Sequence, residues 1–164
     1  DGSAAEVRKS SDDVAVYLFG HSAGGQFLSR LAAYSTLQAD RIVIANPSVY
    51  VAPMLDEEVP FGFADLFASD RALEKIEDYL GLPITIYLGQ LDVGDKYLNK
   101  SAGAMRQGEN RLERGRFIFQ LAKDVAAKNN WAFGWRLVEV PKVGHSSRKM
   151  LGSKKMVEAI RPQS

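Results

Sequence analysis

Residues 14 to 36, VAVYLFGHSAGGQFLSRLAAYST, set the frame for the chain. Val14 to Phe19 is an unbroken apolar run rich in β-branched and aromatic residues, the pattern of a strand buried on both faces. Gly20-His21-Ser22-Ala23-Gly24 follows at once. From Phe27 the apolar residues Phe27, Leu28, Leu31 and Ala32 recur at helical spacing. The stretch therefore reads as strand, tight glycine turn and helix, with one serine at the turn.

A serine hydroxyl is a weak nucleophile until it projects toward a base. A sharp strand-to-helix turn pushes it out at the top of a sheet. Gly20 and Gly24, two residues before and after Ser22, are expected to remove Cβ atoms that would collide in the strained turn. Ala23, Gly24 and Gly25 let the helix begin close to the strand. Its first N–H groups then point to where negative charge would develop, with Ala23 N–H as an oxyanion donor. The glycine turn with an incidental serine is the bland alternative. The G-x-S-x-G pattern in this strand–helix setting resembles the nucleophile elbow of the α/β-hydrolase superfamily.

A serine elbow needs a base, and the chain has only two histidines. His21 belongs to the elbow itself. Neighbouring residues leave a strand on opposite sides, so His21 is badly placed to take the Ser22 proton. His145 remains, in a loop after the run WRLVEV, where the resemblance also places the base. For the orienting acid the resemblance implies Asp92, three residues after Gly89 at the end of a strand, with Asp95 in the same loop as the alternative. The order Ser22, Asp92, His145 matches the superfamily order. All three fall at carboxyl ends of strands, the edge where open α/β sheets bind ligands.

The remaining elements follow from apolar runs and their punctuation. Ala4 to Ser10 reads as the end of a helix, and Ser11-Asp12-Asp13 as a turn. Ile42 to Asn46 is a second buried strand ended by Pro47, completing a βαβ unit. Residues 47–70 show no period and are long for a connection. They form either a lid or pocket loop walled by Tyr50, Met54, Phe61 and Phe63, with His21 also lining the pocket, or an irregular excursion packing these aromatics into the core. Asp70 is placed as N-cap of a helix over 71–80, with Gly81 as its stop. A third strand, Ile84 to Leu88, ends at Gly89. A loop over 93–108 leads to a long helix from Glu109 to Lys128, then a fourth strand from Trp135 to Val140. Residues 146–160 read as the last helix. The fold class is α/β, a parallel sheet with flanking helices.

Further stretches resemble bacterial polyhydroxybutyrate-depolymerase-like esterases of this superfamily: GHSAGGQF, NPSVYVAP with VPFGF, LGQLD, AMRQGENRLERGRFIF and WRLVEVPKVGH. The resemblance implies hydrolysis of a small-molecule ester or other acyl substrate, with peptidases and acyltransferases sharing fold and triad. It also implies several strands before the elbow. Only about 20 residues precede Ser22. The expectation is therefore the C-terminal portion of an α/β-hydrolase fold, one partial domain over 1–164. The second oxyanion donor would come from the earlier half, so the isolated chain is expected to be weakly active. The elbow strand would carry an unpaired apolar edge, and the missing half or self-association would cover it.

Composition closes other routes. No cysteine is present, which excludes disulfides and thiolate chemistry within these residues. Net charge is +1, so nothing general favours nucleic acid or an anionic membrane. No apolar run approaches membrane-spanning length. No metal-ligand spacing or cofactor fingerprint occurs, and no cofactor is expected. Arg106, Arg111, Arg114 and Arg116, with Lys96 and Lys100, read as a solvated helix start or as an anchor for an anionic group. Trp131, Phe133 and Trp135 read as a sheet cover or a binding face.

Overall fold

The computed structural model describes residues 14–64 and 66–162. The helix end at 4–10 and the turn at 11–13 lie outside them. Four strands form one parallel sheet in the order β1-β2-β3-β4: β1 Tyr17–His21, β2 Arg41–Ala45, β3 Ile84–Gly89 and β4 Arg136–Val140. The helices are α1 Ala23–Tyr34, α2 Ser69–Gly81, α3 Ala102–Met105, α4 Arg111–Asn129, α5 Ser147–Leu151 and α6 Lys155–Ile160. Parallel strands need crossovers, and three of these helices are long enough to supply them.

The two central strands are buried throughout. Their residues alternate between two cores, as the period of two requires. Ile42, Ile44, Ile84, Ile86 and Leu88 face a large cluster with Leu28, Ile76, Leu80, Ile118 and Ala122 from α1, α2 and α4. Val43, Ala45, Tyr87 and Val138 face a smaller one closed by Met150 and Ala159 from α5 and α6.

The first strand departs from expectation. It begins at Tyr17, and among its residues only Gly20 is buried. It stands at the sheet edge, with no strand on its outer side among the described residues. Leu18 and Phe19 still pack against the cores on the two faces of the sheet, while Val14 and Tyr17 are exposed. Phe27 of the expected helical stripe also faces outward, because Leu28, Ser29, Ala32 and Ala33 form the buried face of α1.

The 47–70 segment takes the second of its two readings at Tyr50 and Phe63. Both are fully buried, so neither is a wall of an open pocket. Phe63 meets Tyr34 edge-on with centroids 5.5 Å apart. Outside the sheet, the segment's backbone is satisfied partly by itself, as where Ala52 N–H donates to Phe61 O at 2.7 Å and Phe63 N–H to Met54 O at 3.0 Å, and partly by side chains. Val51 N–H donates to Ser29 Oγ at 3.0 Å. Gln107 clamps Tyr50, accepting from its N–H at 3.0 Å and donating to its carbonyl at 2.8 Å.

Two helix ends differ from their readings. Ala68 holds the cap position of α2, and Asp70 lies in its first turn, accepting from Arg71 N–H at 2.9 Å. The last helix is two, parted at Gly152 to Lys154. The ends of α4 obey local chemistry: Asn110 caps by accepting from Glu113 N–H at 3.0 Å, and Asn130 takes the left-handed conformation at the exit. Trp135, Phe133, Tyr79 and Phe119 form one chain of ring contacts over the sheet, the covering role. No described helix is long and apolar enough to cross a membrane.

Candidate active site

Ser22 stands between β1 and α1 with φ 57° and ψ −117°. A non-glycine residue there is strained and persists only when its surroundings hold it. Two hydrogen bonds do so: Ser22 N–H donates to Ala45 O at 2.9 Å, and Gln26 N–H donates to Ser22 O at 3.0 Å. The close approach demands glycine at two positions. A Cβ at Gly20 would lie 2.5 Å from the Gly24 carbonyl carbon, and one at Gly25 would lie 3.0 Å from Ala45 O. At Gly24 a Cβ would meet nothing within 4 Å, so the tight pair is Gly20 and Gly25 rather than Gly20 and Gly24.

Three loops at the carboxyl ends of β1, β3 and β4 bring the expected residues together. His145 Nε2 lies 3.0 Å from Ser22 Oγ, and His145 Nδ1 lies 2.7 Å from Asp92 Oδ2. The acid and base loops are tied by backbone: Leu91 N–H donates to Val143 O at 2.8 Å, and Gln90 N–H to Val140 O at 3.0 Å. A Cβ at Gly89 would overlap Val143 O, so glycine there lets the two loops touch. Asp95, the alternative acid, points to solvent and pairs with Lys100 at 2.8 Å, which lowers its pKa.

Asp92 is buried, and it faces one of the arginines read above as a helix start or an anion anchor. Arg111 Nη1 lies 3.6 Å from Asp92 Oδ1, and Arg111 Nη2 donates to Lys96 O at 2.9 Å. Arg111 and Arg114 are therefore not part of a solvated helix start. Arg114 is also buried, donating to the carbonyls of Ser48, Asn99 and Gly108. Their i, i+3 spacing puts both on the inner face of α4. Arg106 and Arg116 keep the solvated reading, paired on the surface with Glu57 and Glu139.

The remaining pocket candidates divide. Met54 lines a cavity of about 300 Å³ with Glu57, Arg106, Gln107 and Phe117, none of which belongs to the Ser22 group. Phe61 packs onto Gly103, where a Cβ would come 2.5 Å from its ring. His21 alone among them reaches the site: its ring centroid is 4.7 Å from that of His145, tilted by 40°. Burial first, then the His145 charge, lowers the His21 pKa, against the pull of Asp92. Asn46 Nδ2 lies 3.4 Å from His21 Nε2. Asn46 was legible only as the residue before Pro47. Its φ of 45° is one that asparagine tolerates.

Chemically, a hydroxyl against an imidazole whose other nitrogen meets a buried carboxylate can pass a proton from oxygen to nitrogen and hold the resulting cation. Among the described residues no group of three or more metal-ligating side chains is placed to hold an ion.

No protein-family model and no curated protein sequence matches the chain. Solved structures do. The chain is similar to LpqC, poly(3-hydroxybutyrate) depolymerase from Bordetella parapertussis, at 31% identity and TM-score 0.83, over 98% of this chain and 56% of that one. It is also similar to poly(aspartic acid) hydrolase-1 from Sphingomonas sp. KT-1, at 32% identity and TM-score 0.80, over 93% of this chain and 59% of that one. The chain thus spans little more than half the length of either.

Proposed function

We propose, from its likeness to these structures, that the chain is the part of a serine hydrolase of the α/β-hydrolase superfamily that carries the reacting side chains, acting on carboxyl esters. The observation that carries this reading is the continuous line Ser22 Oγ to His145 Nε2 at 3.0 Å and His145 Nδ1 to Asp92 at 2.7 Å. A binding module has no physical need for that line.

Ser22 Oγ attacks the substrate carbonyl carbon while its proton passes to His145 Nε2. The Asp92 carboxylate accepts from Nδ1–H throughout, fixing the tautomer and stabilising the imidazolium. The carbonyl oxygen becomes an oxyanion at the start of α1, toward Ala23 N–H. Collapse breaks the bond to the leaving oxygen, which takes the proton from His145 and departs as an alcohol. Water then attacks the acyl-serine: His145 takes its proton and returns it to Ser22 Oγ, and the carboxylic acid is released. Positioned proton transfer of this kind contributes roughly 10²–10⁴-fold. One oxyanion donor contributes about 10²–10³-fold.

A second reading keeps the residues and changes the bond. One similar structure is a hydrolase of poly(aspartic acid), an amide-linked polymer, and the other a depolymerase of a polyester. A panel of matched ester, amide and thioester substrates separates the readings. Ester turnover that disappears in Ser22→Ala supports the first; amide turnover exceeding ester turnover supports the second. Turnover that survives Ser22→Ala would contradict both.

A further inference from the structure

One hydrogen bond settles which way the Asn46 amide faces. Gly89 N–H lies 2.9 Å from one end of it. A backbone N–H can only donate, so that end is the oxygen, and the other end is Nδ2. Nδ2 lies 3.4 Å from His21 Nε2. An amide nitrogen also only donates, so His21 Nε2 must offer its lone pair. The proton of the neutral ring then sits on Nδ1. A charged His21 would set N–H against N–H.

Asn46 has little freedom to yield. It is fully buried at the end of β2, its backbone is left-handed, and its N–H donates to Tyr87 O at 3.2 Å. It ties the ends of β1, β2 and β3 at one point. The His21 ring it faces lies against His145.

We propose that Asn46 and His21 are a positioning pair, holding a neutral imidazole in its Nδ1–H tautomer against the ring of His145, so that His145 alone becomes an imidazolium at this site. The proposal rests on the reading of His145 as the base. The charged and titratable groups around His21 are His145, Asp92 and Arg111. Burial, the His145 charge and the Arg111 charge all oppose its protonation, and Asp92 alone favours it. A second cation here would repel the one that forms on His145.

The test reads the tautomer directly. The chain has two histidines, so ¹⁵N-histidine spectra carry two rings, and His21→Gln assigns them. The expected result is a bare Nε2 and a protonated Nδ1 on His21 from about pH 6 to 8. In Asn46→Asp an oxygen replaces Nδ2 while Gly89 N–H keeps its acceptor. The His21 proton should then move to Nε2, and its titration midpoint should rise by roughly one unit or more. The acid side of the ester-cleavage profile should shift upward with it, and adding His21→Gln should reverse that shift. A protonated Nε2 in the unmodified protein would overturn the proposal. So would a folded Asn46→Asp protein with an unchanged His21 spectrum. Should Asn46→Asp not fold, the spectrum of the unmodified protein decides. Absence of ester cleavage with the expected tautomer would count against the hydrolase reading and leave the Asn46–His21 assignment standing.

Discussion

The guanidinium of Arg111 lies 3.6 Å from the Asp92 carboxylate, and both side chains are 1% exposed. A carboxylate so buried and facing an imidazole at 2.7 Å has its second oxygen answered by a fixed cation. Removing one member of such a pair leaves an uncompensated charge and costs about 3–5 kcal/mol. Arg111→Met should therefore lower unfolding stability by roughly that amount, read from urea midpoints. Arg111→Met combined with Asp92→Asn should cost clearly less than the two single losses added together. Additive losses would mean that the two groups do not interact.

The elbow glycines make a paired prediction. Gly20→Ala forces a Cβ into the backbone of Gly24 and should cost several kcal/mol or prevent folding, with thermal unfolding as the readout. Gly24→Ala meets open space among the described residues and should change stability by less than about 1 kcal/mol. Equal effects would contradict the packing described for this turn.

The strand–turn–helix around Ser22 and the four strands were legible because each rests on local pattern, whereas the nearness of Ser22, Asp92 and His145 was expected from elimination among two histidines and from the resemblance. An apolar run, a glycine turn and a strand-end position are all visible within a few residues. What was hidden depends on contacts across the chain. Arg111 and Arg114 look like ordinary helix-start cations until carbonyls of the 96–108 loop and Ser48 fold over them. Tyr50 and Phe63 sit in a stretch without period, where sequence cannot tell a pocket wall from a core residue. The partial exposure of β1 was hidden for the same reason: its run is as apolar as that of β2, and only burial distinguishes them.

His21 sets a pH dependence of stability. Burial lowers its folded pKa below the ordinary 6.5, so the unfolded chain binds the proton more readily. The neutral ring's contribution is complete above about pH 6.5 and is lost as pH falls from there toward the folded pKa. Urea midpoints should decline over that interval, and His21→Gln should flatten the decline. A midpoint that rises on acidification through this range, and does so through His21, would contradict the assignment.

Three large apolar side chains before β1, on it and on α1 are exposed. Val14, Tyr17 and Phe27 are 42%, 44% and 63% exposed. Among the described residues β1 has no partner on its outer edge, and such an edge near exposed apolar side chains invites association. Isolated as these 164 residues, the chain should sediment with a concentration-dependent coefficient, and Tyr17→Lys with Phe27→Lys should reduce that dependence. A monodisperse monomer before substitution would contradict this.

Labelling by a fluorophosphonate, followed by mass spectrometry of the adduct, tests the proposed reaction most directly. The probe reports an activated serine even where turnover is slow. The predicted result is one adduct on Ser22 that disappears in Ser22→Ala and is strongly reduced in His145→Ala. An unlabelled Ser22 in folded protein, or an adduct that persists in Ser22→Ala, would contradict the account.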